Sequence, residues 1–197
     1  MNAYKTLAAP ATGEYKEKGS RFIGYAFNVE SPDEVKAQLT EVKREHAKAR
    51  HHCYAYRLGT DGNQHRASDD GEPSGTAGKP ILGQIDSFGL TDVLIVVVRY
   101  FGGVLLGASG LNHAYKSAAR LALASAHLVE KEITFGFRFH FPADALPQVM
   151  TLMKKHRIKT TVPQFDGVYT MEAFVPAAVC DALVDQLNKH GVTAEPL

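Results

Sequence analysis

Six consecutive apolar residues, Val93-Leu94-Ile95-Val96-Val97-Val98, form the longest unbroken hydrophobic run in the strand-length range. A run this short and β-branched predicts a strand buried on both faces. Arg21 to Phe27 and the tyrosine-rich His52 to Leu58 predict two more strands. The polar, mixed stretch before Ser20 fits an edge strand or a loose arm. Between the strands lies the clearest helix start, Ser31-Pro32-Asp33-Glu34. Serine caps, proline suits the first helical position, and glutamate completes a capping box. Val35, Leu39 and Val42 then recur at helical spacing, which carries the helix to about His46.

The pattern changes in the last third. Ile133, Phe135, Phe137, Phe139 and Phe141 alternate with Thr134, Gly136, Arg138 and His140, predicting an antiparallel strand with one buried face. Leu146, Val149, Met150 and Met153 give a helical stripe. Ile158–Val162 and Val168–Val175 read as two strands around the turn signal Asp166-Gly167. Pro176 opens a helix carrying Val179, Leu183 and Leu187; Gly191 stops it, and Val192 to Ala194 fits a last short strand. The order β-α-β-β-α-β is that of a ferredoxin-like split βαβ. The predicted class is therefore α+β with two domains, residues 1–130 and 131–197.

The segment between Gly59 and Lys79 is rich in glycine, aspartate, serine and proline and reads as one long loop. Loops of that length in a folded domain are usually functional or disordered. Pro80 to Phe88 fits a short helix, and Gly107-Ala108-Ser109-Gly110 leads into another from Leu111 to about Ala126. Hydrophobic residues make up 45% of the 197 and charged residues 22%, enough apolar material for a core. A net charge of +1 argues against bulk electrostatic binding, so any nucleic-acid site must be a local patch. No apolar run is long enough to span a bilayer, and the start lacks a signal-peptide block. Cys53 and Cys180 have no metal or redox spacing. Two buried thiols and a cytoplasmic location are expected.

Two glycine-rich segments concentrate the candidate chemistry. The first, Ser68 to Pro80, holds Asp69, Asp70, Glu72, Ser74, Thr76 and Lys79 between glycines. It is not a P-loop: Pro73 occupies the position of the leading glycine, and Pro80 follows Lys79 where serine or threonine belongs. Its carboxylates can ligate a hard divalent ion, or cap a helix, pair with bases and face water; their spacing fits no calcium loop. The second segment runs Arg99-Tyr100-Phe101-Gly102-Gly103 and on through Ser109. Glycines beside a helix start suit an approaching anion, Arg99 adds a bidentate donor, and Tyr100 and Phe101 offer rings for stacking. The alternative is tight turns and core aromatics. The most basic stretch, Lys43 to His52, includes Arg50, His51 and His52. It is a solvated helix end or a phosphate patch. Adjacent strand residues face opposite ways, so only one of His51 and His52 can serve a given site. No nucleophile elbow or zinc pattern appears, so no catalytic residue, metal or cofactor is assigned.

Together these segments resemble the YigZ/IMPACT family. The resemblance rests on Ser68 to Pro80, Val96 to Gly107 and Ala49-Arg50-His51-His52-Cys53. It spans Lys18 to about Leu123, and the tail from Lys131 resembles the small C-terminal domain of bacterial members. It implies that the first domain adopts the fold of the second domain of ribosomal protein S-five, with a left-handed βαβ crossover. It also implies a C-terminal half similar to the last domain of elongation factor G. Eukaryotic relatives regulate translation, using an added RWD domain that is not read in these residues, so their specific partner is not carried over. Three functions remain open, the least specific being a protein–protein adaptor, which an exposed apolar patch would mark. One is a binding protein for RNA, the ribosome or a translation factor. Another is an enzyme holding a small phosphorylated or acidic ligand on the glycine turn, with Asp69, Asp70 or Glu72 as base or magnesium ligand.

Overall fold

In the computed structural model, which describes residues 2–197, the ambiguous first stretch forms two strands, β1 (Ala3–Leu7) and β2 (Ala11–Glu17). β2 is the edge of a five-stranded sheet, paired antiparallel with β3 (Ser20–Asn28). Helix α1 (Pro32–Glu45) starts as the sequence predicts: the Ser31 hydroxyl accepts the Glu34 N–H. The reciprocal half of the box is shifted by one residue, for the Glu34 carboxylate accepts the N–H of Glu30 at 2.9 Å. β4 (His51–Leu58) follows, then β5 (Gln64–Ser68), α2 (Gly78–Ser87), β6 (Val93–Tyr100), α3 (Gly107–Ala124) and β7 (Leu128–Glu132), the last pairing with β1.

The order in the large sheet is β2-β3-β6-β4-β5. β6 is central and antiparallel to both neighbours, β3 and β4. Its alternate residues divide between two cores. Val93, Ile95 and Val97 join Ile81 and Ile85 of α2 and Tyr115, Ala118 and Ala122 of α3. Leu94, Val96 and Val98 join Val35 and Val42 of α1. That division is why the run is apolar throughout: each face of the strand is covered by helix. α3 lies so close on β3 that a side chain at Gly24 has no room. A Cβ there would sit 2.6 Å from the Ala118 carbonyl oxygen.

Two expectations for this part of the chain need correction. The long loop is interrupted by β5, which pairs with β4 from Tyr54↔Ser68 to Leu58↔Gln64. β5 is an exposed edge strand, so no buried face marks it in the sequence. Helix α3 begins four residues before Leu111, at Gly107, because its first turn is exposed and has no apolar stripe.

The chain divides into two units, residues 4–131 and residues 132–197 with Asn2 and Ala3. The second contains β8 (Thr134–Phe141), α4 (Leu146–Lys155), β9 (Gln164–Asp166), β10 (Val168–Pro176), α5 (Cys180–Asn188) and β11 (Thr193–Pro196). Its sheet order, β11-β8-β10-β9, is antiparallel throughout and is the ferredoxin-like arrangement. The strand predicted over Ile158–Val162 is instead β9, a few residues later; the earlier segment makes only a bridge from Thr160 to Ala173. Phe139 and Phe141 are buried, whereas Phe135 at the strand's outer end is exposed. α5 starts at Cys180 because Pro176 ends β10. The protein is α+β with two domains, and no helix among the described residues is long and apolar enough to cross a membrane.

Candidate functional site

The glycine-rich loop folds around one carboxylate. Asp69 directly follows β5, and its oxygens accept the N–H groups of Gly75 (2.8 Å), Ala77 (3.0 Å) and Gly78 (2.8 Å). Burial opposes its ionisation, but these three donors win and hold the carboxyl below its ordinary value. Gly78 begins α2, so Asp69 caps that helix from nine residues away. The chain turns sharply next. Asp70 and Gly71 both take positive φ, 41° and 86°. The Asp70 carboxylate accepts the His52 N–H at 2.7 Å, and its carbonyl accepts from His51 Nδ1 at 2.9 Å. A carbonyl only accepts, so the His51 proton sits on Nδ1.

This turn drives Glu72 inward. Its Oε1 accepts both Arg99 Nη1 and the Tyr115 hydroxyl, each at 2.7 Å, and the carboxylate side chain is 4% exposed. Tyr115 sits edge-on to Phe22, ring centres 5.1 Å apart. Burial, then Cys53 and Glu72 beside it, push its phenol well above the usual range. Burial likewise pushes the Cys53 thiol up to about 12, and its Sγ donates to the Asp69 carbonyl. Both groups are neutral at neutral pH and inert as nucleophiles.

Arg99 lies opposite Phe22 on one neighbouring strand and His51 on the other. Its guanidinium carbon stands 5.5 Å from the ring centres of both Phe22 and Phe101. Nη1 is occupied by Glu72, while Nε is buried without a partner. Arg99 is therefore not a freely presented phosphate ligand; it is a buried cation with one donor unsatisfied. Tyr100 faces the α1 side. Its hydroxyl meets His46 Nδ1 at 2.9 Å, and His46 Nε2 meets the Tyr25 hydroxyl at 2.6 Å.

Arg99 and His51 open onto a cleft of about 660 Å³. Arg50 and Lys48 supply exposed cations to it, Tyr100 and Phe101 supply rings, and Ala49 and Leu105 complete the wall. None of these lining residues is acidic. Gly102 anchors the Phe101 segment. Its N–H donates to Ser20 Oγ at 3.1 Å, and a Cβ would lie only 1.9 Å from the Gly19 carbonyl carbon. Gly103 follows with φ 87°.

Of the residues singled out in the sequence, Arg50, His51, Arg99, Tyr100 and Phe101 line one cleft, with Gly102 holding its rim. Lys79, Ser74 and Ser109 are exposed but do not line it, and Thr76 is buried with its hydroxyl on the Pro73 carbonyl. His52 points to the α1 side, where burial lowers its pKa. Asp69, Asp70 and Glu72 do not converge. Among the described residues no cluster of three His, Cys, Asp or Glu side chains is placed to hold a metal. Lys48 and Leu105 were not singled out. Lys48 lay within the basic stretch, but Leu105 carried no chemical signal. Tyr115 was equally silent, one aromatic in a helical stripe.

A two-domain α+β protein with a cationic cleft beside a glycine turn is the class these features define. The Impact N-terminal domain family matches residues 18–123, more than half of the chain, and the chain belongs to that family. An IMPACT family member of Haemophilus influenzae is 40% identical over 164 residues, 81% of this chain and 78% of that protein. IMPACT family member YigZ of Escherichia coli is 44% identical over 125 residues, 62% of this chain; the match spans 61% of YigZ. The crystal structure of a hypothetical protein, 31% identical, covers all of this chain and 98% of its own, with a TM-score of 0.76.

Proposed function

We propose that the cleft of the first unit binds RNA through its phosphates, and that the protein is a binding protein acting in translation. The observation that carries this is the lining: Lys48, Arg50, His51 and Arg99 surround about 660 Å³ with no acidic residue among the lining residues. The whole chain is close to neutral, at +1, so this local excess is what an anionic partner meets. The translational setting comes from the family resemblance, in which a ribosome or a translation factor is the wider partner. A cytoplasmic location fits it and fits two unpaired cysteines.

The bonding of the carboxylates weighs against the enzyme alternative. Asp69 already accepts three backbone donors, Glu72 holds Arg99 and Tyr115, and Asp70 holds the His52 amide. A general base needs an accessible lone pair aimed at substrate. The test is fluorescence polarisation with labelled RNA across a salt series, comparing wild type with Lys48→Ala, Arg50→Ala and the double variant. Wild-type affinity falls as salt rises, and each substitution reduces the log–log salt slope by about one unit. Absence of binding at low salt, or binding indifferent to both substitutions, overturns the proposal.

A further inference from the structure

The geometry points to a single-stranded ligand in this cleft, one of whose bases stacks on the ring of Phe101 while Lys48 and Arg50 hold the adjoining phosphates. This inference rests on the RNA proposal above and adds the strandedness, the stacking residue and the reason for it.

Phe101 is 56% exposed, far more than an aromatic beside a buried strand needs to be. It is not loose. The Arg99 guanidinium lies 5.5 Å from its ring centre, and the same guanidinium lies 5.5 Å from buried Phe22. One guanidinium thus contacts both rings, the buried Phe22 and Phe101, and Phe101 borders the cleft. Arg99 is itself fixed by Glu72. A ring held by a fixed cation and more than half exposed is a platform for another π surface, and every base has one. Bases inside a duplex are stacked on each other and do not present that surface, so the platform selects single strands.

Tyr100 does not share this role. Its hydroxyl is held by His46, and it is the less exposed of the two rings. The cleft's volume of about 660 Å³ is in the range of sites for small organic ligands, which suits one or two nucleotides rather than a helix. Leu105, 83% exposed on the same wall, offers apolar surface against a ribose or base edge.

The chain has no tryptophan, so Phe101→Trp places a sole reporter at the platform. Its emission is followed while titrating a short oligoadenylate, a hairpin duplex and polyglutamate. Saturable quenching by the single strand alone is expected. Phe101→Leu, checked by thermal unfolding, weakens single-strand binding about tenfold in polarisation and leaves duplex binding unchanged. If Phe101→Leu binds the single strand like wild type while Arg50→Ala does not, the platform is refuted and the phosphate cleft stands. If wild type binds no RNA, the RNA proposal itself falls. Quenching by polyglutamate without RNA binding assigns the cleft to an acidic protein segment and overturns both.

Discussion

Replacing Arg99 by methionine removes the cation from a pair whose two side chains are 8% and 4% exposed. Methionine fills most of the volume, so the loss is electrostatic more than steric. What remains is the Glu72 carboxylate, buried, with the Tyr115 hydroxyl as its one side-chain partner. Breaking a buried pair in this way costs about 3–5 kcal/mol, because the surviving charge has lost its compensation. At about 1.4 kcal/mol per factor of ten, the open population of the first unit rises by roughly two to three and a half powers of ten. Hydrogen exchange at the amides of Val93–Tyr100 measures this directly, since β6 is central and reports the unit that contains it. The double variant Glu72→Gln/Arg99→Met removes both charges and keeps an acceptor for Tyr115. It recovers more than half of the lost protection, a coupling that adjacent residues show and distant ones do not. An Arg99→Met effect under tenfold, or a double variant no better than the single, refutes the assignment of Arg99 and Glu72 as mutual counter-ions.

Asp69→Ala removes an acceptor from three N–H groups and destabilises the first unit by about 3 kcal/mol, measured by the same exchange experiment. Because the folded-state carboxyl of Asp69 lies below its ordinary value, its stabilisation is complete above that value and is lost as pH falls through it and below. Stability followed from about pH 6 to pH 3 therefore declines more steeply in wild type than in Asp69→Asn, and parallel curves refute the role. Gly24→Ala forces a Cβ to within 2.6 Å of a helix carbonyl on a strand paired on both sides, and costs about 2 kcal/mol or more in urea unfolding. Gly136→Ala meets only side-chain atoms, at 3.1 Å and beyond, and costs less than about 1 kcal/mol; equal effects contradict the packing account.

Periodic signals were legible in the sequence wherever one face is buried and the other is not. The stripes of α4 and α5 are of this kind, whereas α1 was legible from its Ser31 cap and β6 from an unbroken apolar run covered on both faces. β5 was illegible because it is an edge strand with nearly all of its side chains exposed. β9 was displaced because Ile158, which suggested a strand earlier, packs into the core without strand pairing. The site was half legible. Charge and glycine content marked Arg50, His51, Arg99 and Phe101, which do line one cleft. The inward turn of Glu72 was not readable, since it depends on Asp69 gathering three amides and on a positive φ at Asp70. A sequence shows a charged residue but not which charge it faces, so Arg99 passed for a free anion ligand.

The central place of β6 also governs how the first unit is assembled. β2 with β3, and β4 with β5, are local hairpins, but no strand pairing joins the two hairpins except through β6. A chain emerging from its N-terminus therefore carries two incomplete ribbons, each with an unpaired edge, until residues 93–100 arrive. One strand then closes both at once, bringing residues as distant as Arg21 and Tyr100 into register. Pairings between residues so far apart in sequence are closed at a cost in chain entropy, which slows the folding of such a sheet. The period before β6 pairs is when its exposed edges are open to pairing with other chains.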